Sequence, residues 1–134
     1  MEDTFYLEII TVARQFYIGP AEAVILPIQD GRYGVLPRHE TTVAAIVPGE
    51  LKYKIDGQWR LAAVSGGFAE ITPDYVVVLI SSAEHPEEID IKRAEAARQR
   101  AEERLRHKQS VMEYYHSKAA LARAMARLKT RGRK

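Results

Sequence analysis

The chain reads as an N-terminal antiparallel β-sandwich followed by a C-terminal antiparallel two-helix hairpin. Three observations predict this. Up to Pro86, short β-branched and aromatic runs alternate with Gly, Pro and Asp turns, the pattern of an all-β sandwich or barrel. After it, residues 87–134 hold no Pro and no Gly before Gly132, and consist mainly of Ala, Glu, Arg and Lys at helical spacing. The charge divides at the same place. Residues 1–86 carry 6 Lys+Arg against 11 Asp+Glu, net −5, whereas residues 87–134 carry 14 against 7, net +7. The modest overall +2 therefore conceals an acidic β unit, 1–86, joined to a basic helical unit, 87–134. A docking body with an appended arm has this layout more often than a catalytic domain does.

The strands follow in order. Phe5, Leu7, Ile9 and Thr11 alternate with Tyr6, Glu8 and Ile10, so the first strand has both faces partly covered. Val24-Ile25-Leu26-Pro27-Ile28 is the next. Gln29 to Gly34 is a turn cluster, and Val35-Leu36 is a short piece stopped by Pro37. Thr42 to Val47 forms a strand ended by Pro48-Gly49. Leu51, Tyr53 and Ile55 then turn through Asp56-Gly57 into Trp59, Leu61 and Ala63. This is the clearest hairpin, because Asp-Gly supplies the positive φ values of a tight turn. Ser65-Gly66-Gly67-Phe68 breaks the chain sharply, Phe68 to Thr72 is a strand, Pro73-Asp74 a turn, and Tyr75 to Ile80 a continuous apolar strand.

Ser81 to Pro86 connects to the helices. Asp90 is the expected N-cap, with Glu87 and Glu88 just ahead of it where the helix dipole favours negative charge. The first helix spans Ile91 to Arg106. His107-Lys108-Gln109-Ser110 is the turn, Ser110 caps the second helix, and that helix runs from Val111 to about Lys129. Ala94, Ala97, Ala101 and Leu105 form one stripe, and Tyr115, Ala119, Ala122 and Ala126 another. Small residues on both let two helices approach closely. A surplus stripe, Tyr114, Leu121, Met125 and Leu128, is left to dock on the β unit or on another protein.

Composition narrows the function. The 134 residues contain no Cys, which excludes disulfides, thiolate metal sites and cysteine nucleophiles. No run approaches the ~20 apolar residues of a membrane span. Met-Glu-Asp-Thr lacks the layout of a signal peptide, so a membrane location is expected only through other proteins. Gly66-Gly67 precedes a strand, so it reads as a turn and not as a phosphate loop. The four His show no metal-ligand spacing, and no acid, base and nucleophile converge. Acidic residues interrupt the basic helices, so a solvated face suits those charges better than a nucleic-acid surface. The sharpest constellation is Asp90 and Arg93, three apart, with Arg123 and Arg127, four apart. Antiparallel helices bring these together, where guanidiniums grip phosphates and a carboxylate recognises an amino or hydroxyl group. On spacing alone, interhelical ion pairing without a ligand is the stronger account.

The chain resembles the epsilon subunit family of the F-type ATP synthase over nearly its whole length. The resemblance rests on Gly34-Val35-Leu36-Pro37-x-His39, on Val64-Ser65-Gly66-Gly67-Phe68 leading into Thr72-Pro73-Asp74, on Ile89-Asp90-x-x-Arg93-Ala94, and on the Ala-rich hairpin. Thr41-Thr42 departs from a Pro common in the family, which concerns a local turn. The resemblance implies a non-catalytic subunit of the central rotor stalk. Its sandwich contacts the gamma subunit and the c-ring, helping to couple proton flow to rotation. Its hairpin permits ATP hydrolysis when folded down, and reaches the alpha and beta subunits and blocks hydrolysis when extended. It further implies that the folded hairpin binds ATP as a regulatory ligand, with no cofactor required, through Glu84, Ile89, Asp90, Arg93, Ala94, Arg100, Arg123 and Arg127. The implied location is peripheral, on the cytoplasmic face of a bacterial plasma membrane, with a chloroplast membrane as the alternative because both carry this family. The rival reading is a stand-alone nucleic-acid-binding or scaffold protein using the basic hairpin.

Overall fold

The computed structural model describes residues 3–106 and 111–132, with side chains of the second helix described from Tyr115 onward. The expected turn His107 to Ser110, its Ser110 cap, the Tyr114 side chain and the last two residues lie outside that range. Ten strands come first: β1 Phe5–Thr11, β2 Gln15–Ala21, β3 Ala23–Ile28, β4 Gly31–Val35, β5 Thr42–Ile46, β6 Gly49–Ile55, β7 Gln58–Val64, β8 Gly67–Ile71, β9 Tyr75–Ile80 and β10 Ala83–Glu84. A 3₁₀ turn, Pro86–Glu88, leads into α1, Ile91–Arg106, and α2, Val111–Gly132.

The strands form two five-stranded sheets, in the orders β2-β1-β9-β8-β5 and β10-β7-β6-β3-β4. Alternation along each strand sends one set of side chains between them. Phe5, Leu7, Ile9 and Thr11 of β1 point inward as their spacing predicts. They meet Val24, Leu26, Leu51, Tyr53, Ile71, Val76 and Val78, each 0–1% exposed, in one core. The Asp56-Gly57 turn is a two-residue hairpin joining Ile55 and Gln58, with φ of 51° and 76°.

Several elements depart from the sequence expectation. β2 is a full strand where no strand was expected. It carries Gly19-Pro20 and occupies the edge of its sheet, the place where a missing N–H costs least. β4 forms from what reads as a turn cluster, again at an edge. β1 and β9 pair in parallel, whereas the other strand pairs are antiparallel. The continuous apolar run of β9 suits that interior position.

α1 begins as predicted: the Asp90 carboxylate accepts the Arg93 backbone N–H at 3.2 Å. Its buried residues, Ala94 and Ala101, lie on the Ala stripe and pack against α2. α2 differs from expectation in orientation. The Thr130 hydroxyl donates to Glu50 of β6 at 3.3 Å, and Ala122 and Ala126 look across a cleft at Pro27 and Gly49. The stripe assigned to the helix–helix seam thus faces the sandwich. Ser117 and Ala124, buried and seven residues apart, lie on the opposite side, the side left for α1. Leu121 and Leu128 border that seam half-buried, while Met125 stays 48% exposed. Alanine suits the sandwich face because its small side chain lets a helix rest directly on a sheet. Tyr115 of the same stripe remains 60% exposed.

Candidate functional site

A cavity of about 280 Å³ opens where β10, the 3₁₀ turn and both helices meet. β10 delivers Glu84, the turn Glu88, the α1 cap Asp90, and the first turns of α1 deliver Arg93, Ala94, Ala97 and Arg100. α2 returns antiparallel to bring in Arg127. Glu84, Asp90, Arg93, Ala94, Arg100 and Arg127 of the sequence expectation therefore share one wall. Arg123 lines a smaller adjoining crevice with Glu84, Arg127, Ser65 and Ser82. Ile89 stands behind the wall, 5% exposed, and anchors the chain where it enters α1.

Charge in the cavity is unevenly committed. Glu84 accepts the Arg127 Nε–H at 2.5 Å, an ion pair that ties the end of α2 to the sandwich. Asp90 is used as the helix cap. Glu88 is held by Arg14 through two bonds, 3.0 and 2.7 Å, and also accepts the His85 backbone N–H at 2.7 Å. Arg14's hydrogen bonds, with help from His85, hold the Glu88 carboxyl down at about 2. Arg14 is itself fixed, donating to the Ala83 carbonyl at 3.1 Å and lying over the Phe16 ring, on which His85 stacks. Each carboxylate thus has a partner, and among the described residues no ion pair engages Arg93 or Arg100. Both are exposed at the rim. Two uncommitted guanidiniums beside a third make a receptor for a polyanion, and the open rim leaves room for a ligand larger than the cavity.

Two contributors escaped sequence reasoning. Glu88 had a local signal, since it stands three residues after His85, where a carboxylate can reach back to the His85 backbone N–H, as it does here. Arg14 had none: it stands 74 positions from Glu88, and only the fold joins them. Among the described residues no cluster of His, Asp or Glu is built to hold a metal ion.

Fold and cavity together define a two-part module, a β-sandwich carrying a helical hairpin, with a cavity lined by carboxylates and arginines at the joint. Residues 4–86 match the family described as "ATP synthase, Delta/Epsilon chain, beta-sandwich domain", and residues 87–132 its "long alpha-helix domain". The chain belongs to the ATP synthase delta/epsilon chain family, and is a non-catalytic subunit. Among its relatives, the ATP synthase epsilon chain of Ruminiclostridium cellulolyticum is 54% identical over 131 residues, covering 98% of each chain. That of Caldanaerobacter subterraneus subsp. tengcongensis is 49% identical, covering 96% of this chain and 94% of the relative. The fold is shared with a chain of the Euglena gracilis mitochondrial ATP synthase, with a TM-score of 0.82 at 23% identity, covering 96% of this chain and 81% of that one. A chain of the Tetrahymena thermophila mitochondrial ATP synthase central stalk and c-ring gives 0.69 at 11% identity, covering 95% and 96%. These relatives lend no support to a stand-alone nucleic-acid or scaffold role. No helix of the described residues is long and apolar enough to cross a membrane.

Proposed function

We propose that this chain is a regulatory subunit of the ATP synthase rotor whose hairpin, folded on the sandwich, binds ATP and is thereby held down. The observation that carries the reading is the convergence of Glu84, Asp90, Arg93, Arg100 and Arg127 from three separate elements in one cavity. A ligand that bridges β10, α1 and α2 binds only while they are together. It therefore favours the folded hairpin by its differential affinity for that state. Phosphates fit Arg93 and Arg100, the guanidiniums without carboxylate partners among the described residues. Released and extended, the same basic hairpin meets the alpha and beta subunits and stops hydrolysis. The subunit sits at the membrane through the complex, on the cytoplasmic face of a bacterial plasma membrane. Titrating the full chain with ATP by calorimetry, with and without magnesium, tests this. Arg127→Ala is expected to weaken binding about tenfold or more, the loss of one charged hydrogen-bonding partner. Equal affinity in the variant counts against the site.

A second observation supports docking on the gamma subunit of the rotor. Register places Ile10, Leu79, Phe68 and Ala45 side by side in one row across β1, β9, β8 and β5. Leu79 is 53% and Phe68 62% exposed on the outer face of that sheet, and Val43 beside them is 69% exposed. A contiguous apolar row on a solvent face is an interaction surface. Phe68→Glu is expected to abolish co-purification with a gamma–c-ring subcomplex while leaving the melting curve of the isolated chain in place.

A further inference from the structure

A second and larger cleft, about 680 Å³, runs along the other flank of α2. Arg123 and Arg127 lie on the flank that faces the anion cavity, whereas Ala122, Met125 and Lys129 look into this cleft. Across from them stand Pro27 and Ile28 at the end of β3, Arg32 of β4, and Val47-Pro48 before β6. The floor is apolar. Its charges are lopsided: Arg32, Arg98 and Lys129 line it against a single carboxylate, Glu50, which already accepts the Thr130 hydroxyl. Arg98 spends its guanidinium tip on Glu95, yet its Nε–H is buried with no hydrogen-bond partner among the described residues.

The geometry points to a binding site for an aliphatic carboxylate of the free fatty-acid class. Its chain lies on Ile28, Val47 and Met125, and its head lies among Arg32, Arg98 and Lys129. The volume falls in the range of small-molecule sites, about 300–1,000 Å³, and an apolar wall with a few convergent charged groups is how such sites are lined. A bare phosphate leaves the apolar floor wet, and an uncharged alkane leaves Arg32 and Lys129 unmatched, so the lining selects a molecule with both parts. The cleft exists only while α2 rests on the sandwich. Its occupant therefore stabilises the folded hairpin from the flank opposite the anion cavity, independently of any nucleotide.

Decanoate below its micellar concentration is the probe, added to the full chain while methyl resonances of Ile28, Val47 and Met125 are followed by NMR. Saturable shifts at these methyls are expected. Arg32→Glu and Lys129→Glu, both at exposed positions that folding does not depend on, are expected to raise the Kd about tenfold each. Arg100→Ala, on the opposite flank at an exposed position that ties nothing to the sandwich, is expected to leave it unchanged. Absent or unsaturable shifts, equal Kd values in the charge-reversal variants, or decanol binding as tightly as decanoate would each overturn the assignment. So would loss of binding in Arg100→Ala, which places the probe in the other cavity. Co-sedimentation with phosphatidylglycerol vesicles at the concentration that binds decanoate would overturn the choice of a free carboxylate in favour of a lipid surface.

Discussion

Arg14 and Glu88 pin the connector between sandwich and hairpin, and their pair is the place where pH should be felt. The folded Glu88 carboxyl titrates at about 2, below its ordinary 4.5. A depressed carboxylate contributes stability that is fully present above its unfolded pKa and is lost as pH falls through the folded value. The window therefore runs from about 4.5 down to about 2. Both side chains are about 40% exposed, so screening reduces the contribution to about 1 kcal/mol. In urea melts, the stability gap between the native chain and Glu88→Gln is expected to be constant above pH 5 and to close by about pH 2. A gap that stays open at low pH would show that the pair is not its source. Gly67 is a second residue-scale test. A Cβ there would lie 2.0 Å from the Leu79 carbonyl oxygen and 2.8 Å from the Ile80 Cα, and backbone cannot give way as a side-chain tip can. Gly67→Ala is expected to destabilise by about 1–3 kcal/mol in the same melts. The Gly66-Gly67 pair was legible as a turn, but its reason, the close approach of β8 to β9, needed the pairing partner.

At the scale of elements, local signals and tertiary ones separate clearly. α1 announced itself through its Asp90 cap and uninterrupted helical composition, and the Asp56-Gly57 hairpin through its turn residues. Asp90→Ala is expected to cost about 1 kcal/mol of stability and Asp90→Asn much less, since only the former loses the cap. Circular dichroism during thermal melting checks both. β2 was hidden because Gly19 and Pro20 are poor strand formers, and only the free edge of β1 makes a strand of them. The facing of α2 was misread for a related reason. Ala119, Ala122 and Ala126 are equally suited to a neighbouring helix and to a sheet, and composition cannot choose between them. Ser117 and Ala124 mark the true seam with α1. Ala124→Leu is therefore expected to overpack that seam by about 1–3 kcal/mol. Ala120→Leu, at a half-buried position, is expected to cost less.

For the whole molecule, the hairpin rests on the sandwich through α2, whose described contacts include the buried Ala126, Thr130 on Glu50, and Arg127 on Glu84. Such an arm can be held down or released by modest binding energies of a few kcal/mol. Deleting residues 87–134 and reconstituting the subunit into the enzyme is expected to raise ATP hydrolysis, if the extended hairpin is the brake. Unchanged hydrolysis would remove that role and leave the sandwich with docking alone.

By itself, the amino-acid sequence determined the two-part architecture, the charge reversal at Pro86, the start of α1 and most of the residue types that line the anion cavity. These depend on turn chemistry, periodicity and capping, which act over a few neighbouring positions. Only the tertiary structure decided the parallel β1–β9 pairing, the strand made from Gln15–Ala21, the face of α2 that meets the sandwich, and the Arg14–Glu88 clamp. It also decided which guanidiniums remain uncommitted. These depend on groups far apart in the chain competing for the same partner, and that competition is settled only when the sheets, the connector and the hairpin are packed together.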